Sequence, residues 1–240
     1  MTSIHPTFSP SIDEIRGAVT DEITALGGSV SDLVNDRECL FMRTVLPVSA
    51  EIRVGDSVQA GVAVRALPTQ IEVYPYMLRE VCTNGAIAAN ALQGRQLERV
   101  EGIDLGAPSY DATVILAGVR EAVRECASPN TFDLATRNMQ AMTNVAGSHG
   151  LHMLHALARM HSEDVAPYLP LIFGRFAMSE DQSAFGAMNA VTSIARDTAD
   201  PAIRWSLEQM GGSMPAYLAR RARAKLNAAA PAEAESEVLV

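Results

Sequence analysis

The sequence has almost no lysine. Lys225 is the only one, so nearly all of its positive charge is arginine, and 19 basic residues stand against 28 acidic ones. The formal net charge of −9 excludes a surface that is basic all over, of the sort that coats duplex DNA indiscriminately, and leaves room only for a local basic patch. Aromatic residues make up 5% of the chain, which argues against extensive base stacking and leaves the core to Ala, Val, Leu, Ile and 11 Met. The three cysteines, Cys39, Cys82 and Cys126, lie far apart with no Cys-x-x-Cys pair. That excludes a disulfide framework and points to buried free thiols in a reducing, cytoplasmic setting. No uninterrupted apolar run approaches the ~18 residues of a membrane-spanning helix, so no membrane partner is expected. Residues 1–10 have no apolar stretch behind a basic start, so they do not read as a signal peptide. Glycine-rich nucleotide loops and the Gly-x-Ser-x-Gly elbow are missing, and no cofactor is expected. Carboxylates are scattered, with no cluster suited to two-metal chemistry. No internal repeat is evident.

What is present is a chain of 240 residues, 48% hydrophobic and 20% charged, which can bury a substantial core. Ser11-Ile12-Asp13-Glu14 forms a capping box, and Ile15, Val19, Ile23 and Leu26 follow at helical spacing up to Gly27-Gly28. The period then changes. Cys39 to Leu46, Glu51 to Val54, Ser57 to Ala66 and Gln70 to Tyr74 read as strands of an antiparallel meander joined by short Gly or Pro turns. From about Tyr76 the pattern reads as helical, interrupted by the turn pair Asn84-Gly85, and Gln96 to Val100 reads as a possible returning strand. Helices are expected over Tyr110 to Cys126, Leu134 to Val145, Leu151 to His161, Val165 to Phe176, Ser183 to Arg196, Ala202 to Met210 and Tyr217 to Leu226. Gly147, Pro167, Gly211-Gly212 and Pro215 supply the breaks. The fold class is therefore α+β: an antiparallel sheet in the first half packed by helices, then a helical second half. Residues 1–226 read as a single domain and residues 227–240 as a mobile acidic tail.

Two stretches carry candidate chemistry. His149, His152, His155, Arg159 and His161 crowd one short segment. At roughly 100° per residue His152, His155 and Arg159 share a helix face with His149 at its margin, while Leu151, Leu154, Leu157 and Met160 take the other side with His161 among them. The fixed charge of Arg159 opposes a cation, and no carboxylate joins the stripe, so no metal site is expected. A face turned to a ligand or nucleic acid and an ordinary polar face both remain open. The second stretch is Arg220, Arg221, Arg223 and Lys225, with Tyr217 one turn earlier. These residues either contact phosphate or complement the dipole at a helix C-terminus. The acidic tail that follows could compete with a polyanion for them.

Arg79 to Gly85, with Cys82-Thr83-Asn84-Gly85 at its end, and Ala184 to Asp197, with Asn189-Ala190-Val191-Thr192, resemble a family of phage- and plasmid-like proteins known only as a domain of unknown function. Where that family has a polar, Gly-containing turn, residues 66–69 here read Ala-Leu-Pro-Thr. The resemblance implies a role in the replication, recombination or takeover functions of mobile DNA, and it transfers no catalytic residues. The residues themselves read as structural: a buried Cys82, a Thr83 hydroxyl bonded to backbone, and Asn189 and Thr192 bonded to each other or to a nearby loop. The layout is also similar, at fold level, to phage single-strand annealing recombinases, which work as rings or filaments. Single-stranded DNA binding or annealing by a homo-oligomer is therefore the leading expectation, with Arg220, Arg221, Arg223, Lys225, Arg159, His152 and His155 as contact residues and no catalytic residue. The helical half has more apolar faces than one sheet can cover, which is the reason to expect self-association. The alternatives are a self-assembling structural or interaction protein without nucleic acid, and a small metal- or cysteine-dependent enzyme.

Overall fold

The computed structural model describes residues 10–35, 38–88, 94–98, 112–159 and 163–229. Helix α1 (Ile12–Ala25) opens on the expected capping box: the Glu14 amide donates to Ser11 Oγ at 3.2 Å, and the Ser11 amide donates to Glu14 Oε2 at 2.8 Å. Gly27, at φ +75°, then turns the chain into the sheet. The sheet has seven antiparallel strands: β1 (Ser29–Asn35), β2 (Leu40–Val45), β3 (Ser49–Arg53), β4 (Asp56–Ala66), β5 (Gln70–Arg79), β6 (Asn84–Ile87) and β7 (Arg95–Glu98). Its main path runs β1-β2-β4-β5-β6, with β3 also on β4 and β7 also on β5.

The strands differ from expectation in two places. β1 was not foreseen. It is an edge strand, exposed along nearly its whole length, so neither face imposes an apolar alternation on it. The helix expected from Tyr76 is instead the end of β5, followed by β6. Met77 continues the first-face row of Ile71 and Val73 and is buried with them, while Tyr76 is buried on the opposite face. Asn84-Gly85 is no turn pair. Both residues lie in β6, and the positive φ falls on Thr83, at +53°.

The second half consists of α2 (Ala112–Cys126), α3 (Pro129–Thr143), α4 (Gly147–Ala158), a 3₁₀ turn (Glu163–Tyr168), α5 (Leu169–Ala177), α6 (Ala184–Asp197) and α7 (Pro201–Ala229). Pro167 lacks the amide an α-helix needs, so the expected helix from Val165 becomes a 3₁₀ turn leading into α5. The two helices expected at the end are one. α7 passes through Gly211, Gly212 and Pro215, and the two glycines serve packing rather than termination. A Cβ on Gly212 would collide with the backbone of Ile87 in β6, and one on Gly211 would crowd Thr192 of α6. α7 also takes in 227–229; the rest of the expected acidic tail lies outside the described residues, as does His161. No described helix is long and apolar enough to cross a membrane.

One face of the sheet, with Leu40, Met42, Val62, Val64, Ile71 and Val73, joins a buried cluster to which every helix contributes. The other face carries Phe41, Ala63, Tyr76 and Ile87 around the fully buried Trp205 of α7. Beside Trp205, Arg43 of β2 and Glu208 of α7, each 1% exposed, meet at 2.7 Å between Nε and Oε2. Arg204 donates to the other Glu208 oxygen at 3.1 Å and lies 2.8 Å from Asp32, which also receives Arg43 at 3.1 Å. Burial pushes the Glu208 carboxyl up, and the two guanidiniums draw it partly back. Removing one partner of such a pair strands the other. Glu208→Leu should therefore cost about 3–5 kcal/mol of stability in urea denaturation, and Arg43→Met combined with Glu208→Leu should cost clearly less.

Candidate functional site

α7 begins with its first amides capped by Asp200, whose Oδ1 accepts from Ala202 at 2.8 Å and Ile203 at 3.1 Å. Its first half is embedded, with Trp205, Leu207, Glu208, Met210 and Met214 buried, and Tyr217 and Leu218 half-buried. From Arg220 to Ala224 every residue is exposed. Five consecutive residues cover the whole circumference of a helix, so this segment has no face against the body. Among the described residues Arg220 and Arg223 have no ion-pair or hydrogen-bond partner, and the Arg221 guanidinium sits 6.0 Å from the Tyr217 ring centroid. Lys225 follows on the same helix. The dipole explanation for these arginines does not hold. The helix continues to Ala229 with no basic residue in its last turn, and dipole effects fade beyond that turn.

α4 presents His149, His152, His155 and Arg159 to solvent, while Met153, Leu154 and Leu157 are buried. Gly147 and Gly150 let α4 lie close to residues 182–187, where a Cβ on either would collide. α4 packs on α6 and α7, but no side-chain bond joins its polar stripe to Arg220, Arg221 or Arg223. Among the described residues no three His, Cys, Asp or Glu side chains converge in a way that could hold a metal ion.

The rest of the arginines explain why these stand out. Arg16, Arg43, Arg53, Arg65, Arg79, Arg95, Arg120, Arg124, Arg175, Arg196 and Arg204 each pair with at least one carboxylate. Among described side chains, only Arg137, Arg159, Arg220, Arg221 and Arg223 do not. Arg137 was missed in the sequence, where it is a single Arg within an unremarkable helix. On α3 it is exposed and bonds only the Asp133 carbonyl, at 3.2 Å, beside an open groove with Thr136 and Gln140.

The two strings that carry the family resemblance come together at a second place. Arg79 donates to both oxygens of Asp56, at 2.6 and 2.7 Å, and to Cys82 Sγ at 3.1 Å. Arg53 Nη1 lies 3.0 Å from Asp181 Oδ2 as a close ion contact, and its guanidinium and that of Arg79 each sit 5.7 Å from the Phe185 ring centroid. From α6, Arg196 donates to the Cys82 carbonyl at 2.7 Å. Asn84, Asn189 and Thr192 line a void of about 10 Å³, and the buried Asn84 Oδ1 has no partner. A space that size holds about one water, so this is a joint locking the β5–β6 turn to α6 rather than a substrate pocket. The Thr83 hydroxyl bonds the Cys82 carbonyl at 2.8 Å, as expected. Asn189 and Thr192 do not bond side chain to side chain. The Thr192 hydroxyl instead reaches the Met188 and Asn189 carbonyls, each at 3.3 Å. Nor are all three cysteines buried: Cys39 and Cys82 are partly exposed, and only Cys126 is buried.

Comparison with known protein families, curated proteins and solved structures finds no match to this chain.

Burial, with help from the neighbouring Glu125 carboxylate, pushes the Cys126 thiol up to about 12, so it stays protonated near neutral pH. Native protein at pH 8 treated with a thiol-specific alkylating reagent should be labelled at Cys82 and should gain label at Cys126 only on unfolding, as read by peptide mass spectrometry.

Proposed function

We propose that the chain binds single-stranded DNA through phosphate contacts made by the exposed segment of α7, with Arg220, Arg221, Arg223 and Lys225 as the primary contacts. One observation carries this reading. On a chain of net charge −9, the arginines without a carboxylate partner among the described residues concentrate on a helix segment that has no covered face. An unpaired guanidinium loses no ion pair when it takes up a phosphate, and its planar fork suits phosphate oxygens. His152 and His155 on the neighbouring α4, and Arg159 at its end, are secondary candidates, since they too are exposed and have no ion pair among the described residues. Exposed aromatics are few. Affinity would therefore rest mainly on charge, with little base preference, as a protein that holds or anneals strands of any sequence requires.

The test is fluorescence anisotropy with a labelled single-stranded oligonucleotide over a series of salt concentrations. Affinity should fall steeply with salt, because each phosphate contact contributes about −0.7 to the slope of log K against log salt on a single strand. Replacing Arg220, Arg221 and Arg223 together by Ala should weaken binding and flatten that slope, and should leave the melting temperature close to that of the parent, because the segment packs against nothing. Unchanged binding in the triple variant, or no binding by the parent at low salt, removes the reading.

A further inference from the structure

A sheet that ends in an open strand exposes a row of unpaired amides and carbonyls, and proteins usually hide or disable that row. At one end of the main path, β6 is four residues long, wholly buried, and lies against α6 and α7. At the other end, β1 pairs with β2 on one side and with no other described strand. Every residue of β1 except Asp32 is exposed. Val30, Leu33 and Val34 are 38%, 42% and 40% exposed, and Leu26 and Val48 extend the apolar strip past the end of the strand.

The usual safeguards are weak here. β1 contains no Lys and no Pro. Its one charge, Asp32, is held on the second face of the sheet by Arg43 and Arg204. Its one irregularity, between Val30 and Asp32, leaves Asp32 to Asn35 in regular register with Arg43 to Leu40.

We propose that β1 pairs antiparallel with β1 of a second copy, about a twofold axis normal to the sheet, so that one sheet runs through a homodimer. The strand's own sequence favours a second copy as the occupant. For both faces to continue across the dimer, opposite residues must share a face, so the axis passes through a residue of the strand. An axis at Asp32 would set two carboxylates opposite each other. An axis at Leu33 sets Leu33 against its own copy and Asp32 against Val34. Leu33 then meets its own copy, no like charges face each other, and each Asp32, already held by Arg43 and Arg204, stands opposite a Val34 rather than another carboxylate. This surface is on the sheet, not on the helical half from which self-association was expected, and the inference does not depend on DNA binding.

Two measurements test it. Opposed Cα atoms in an antiparallel pair lie ~4.5–5.5 Å apart, within the ~4.4–6.8 Å a disulfide spans. In a chain carrying Cys39→Ser and Cys82→Ser, Leu33→Cys should therefore oxidise to a covalent dimer. Val54→Cys, fully exposed at the β3–β4 turn, should not. Light scattering of the parent at about 100 µM should return twice the 25.6 kDa chain mass. Leu33→Lys, which sets two like charges opposite each other, should return the monomer with an unchanged circular dichroism spectrum. A parent that is monomeric at that concentration, or one whose dimer survives Leu33→Lys while Leu33→Cys fails to cross-link, overturns the proposal. DNA affinity measured on Leu33→Lys keeps the outcome separate from that of the α7 reading.

Discussion

The Arg43–Glu208 pair fixes what the second face of the sheet can be. Two charges taken fully out of water are tolerable only when held close, and here Nε and Oε2 meet at 2.7 Å with Arg204 and Asp32 completing the set. The pair ties residue 43, in the middle of β2, to residue 208, in the first half of α7. That contact spans most of the chain and sets the register of the helix against the strands. Trp205 one turn earlier then falls over Phe41, with ring centroids 6.1 Å apart, and under the Arg65 guanidinium at 5.3 Å. Gly212 one turn later falls where the backbone of β6 leaves no room for a side chain. A purely apolar face could tolerate slippage along the helix; a face with one matched charge pair has a single low-energy position.

That anchoring explains the character of the rest of α7. A helix held rigidly over its first half can carry a second half that packs against nothing, because helical hydrogen bonds propagate from an existing nucleus at little cost. The exposed arginines thus stand on a helix anchored in the body, and no described carboxylate bonds them. An overall charge of −9 and a local cationic site are compatible because carboxylates elsewhere are matched to the other arginines.

Much of the architecture was legible wherever one physical signal dominated. The capping box at Ser11 and Glu14 placed α1, and alternating valines placed β4 because that strand is buried on both sides of its neighbours. β1 was invisible because an edge strand exposed on both faces has no hydrophobic period to display. The break assigned at Gly211-Gly212 failed because glycine has two uses, ending helices and admitting a close neighbour, and the neighbour here is β6, more than a hundred residues earlier in the chain. At the site, Arg220, Arg221 and Arg223 could be picked out as a cluster. Their lack of carboxylate partners could not, nor could the status of Arg137, because pairing is decided by tertiary contacts. The meeting of Cys82 to Gly85 with Ala184 to Asp197 was likewise hidden, since nothing local in either string refers to the other.

Shape bears on the proposed reading. Catalysis on a small molecule wants a concave, largely apolar site that excludes water and aims polar groups inward. The described polar clusters are arranged otherwise. The Arg79–Asp56–Cys82 joint closes around space for about one water, and the histidines of α4 point outward from a convex helix. Cys82 does have a guanidinium within 3.1 Å, but no described histidine bonds it to act as a base. Under the proposed reading, the exposed cationic groups of α7 meet a long, flexible polyanion, which supplies its own curvature and wraps what it binds. The sequence offers such groups only sparingly. A binder built this way gains affinity from repetition of the same helix along a strand, and so from whatever surface brings copies of the chain together.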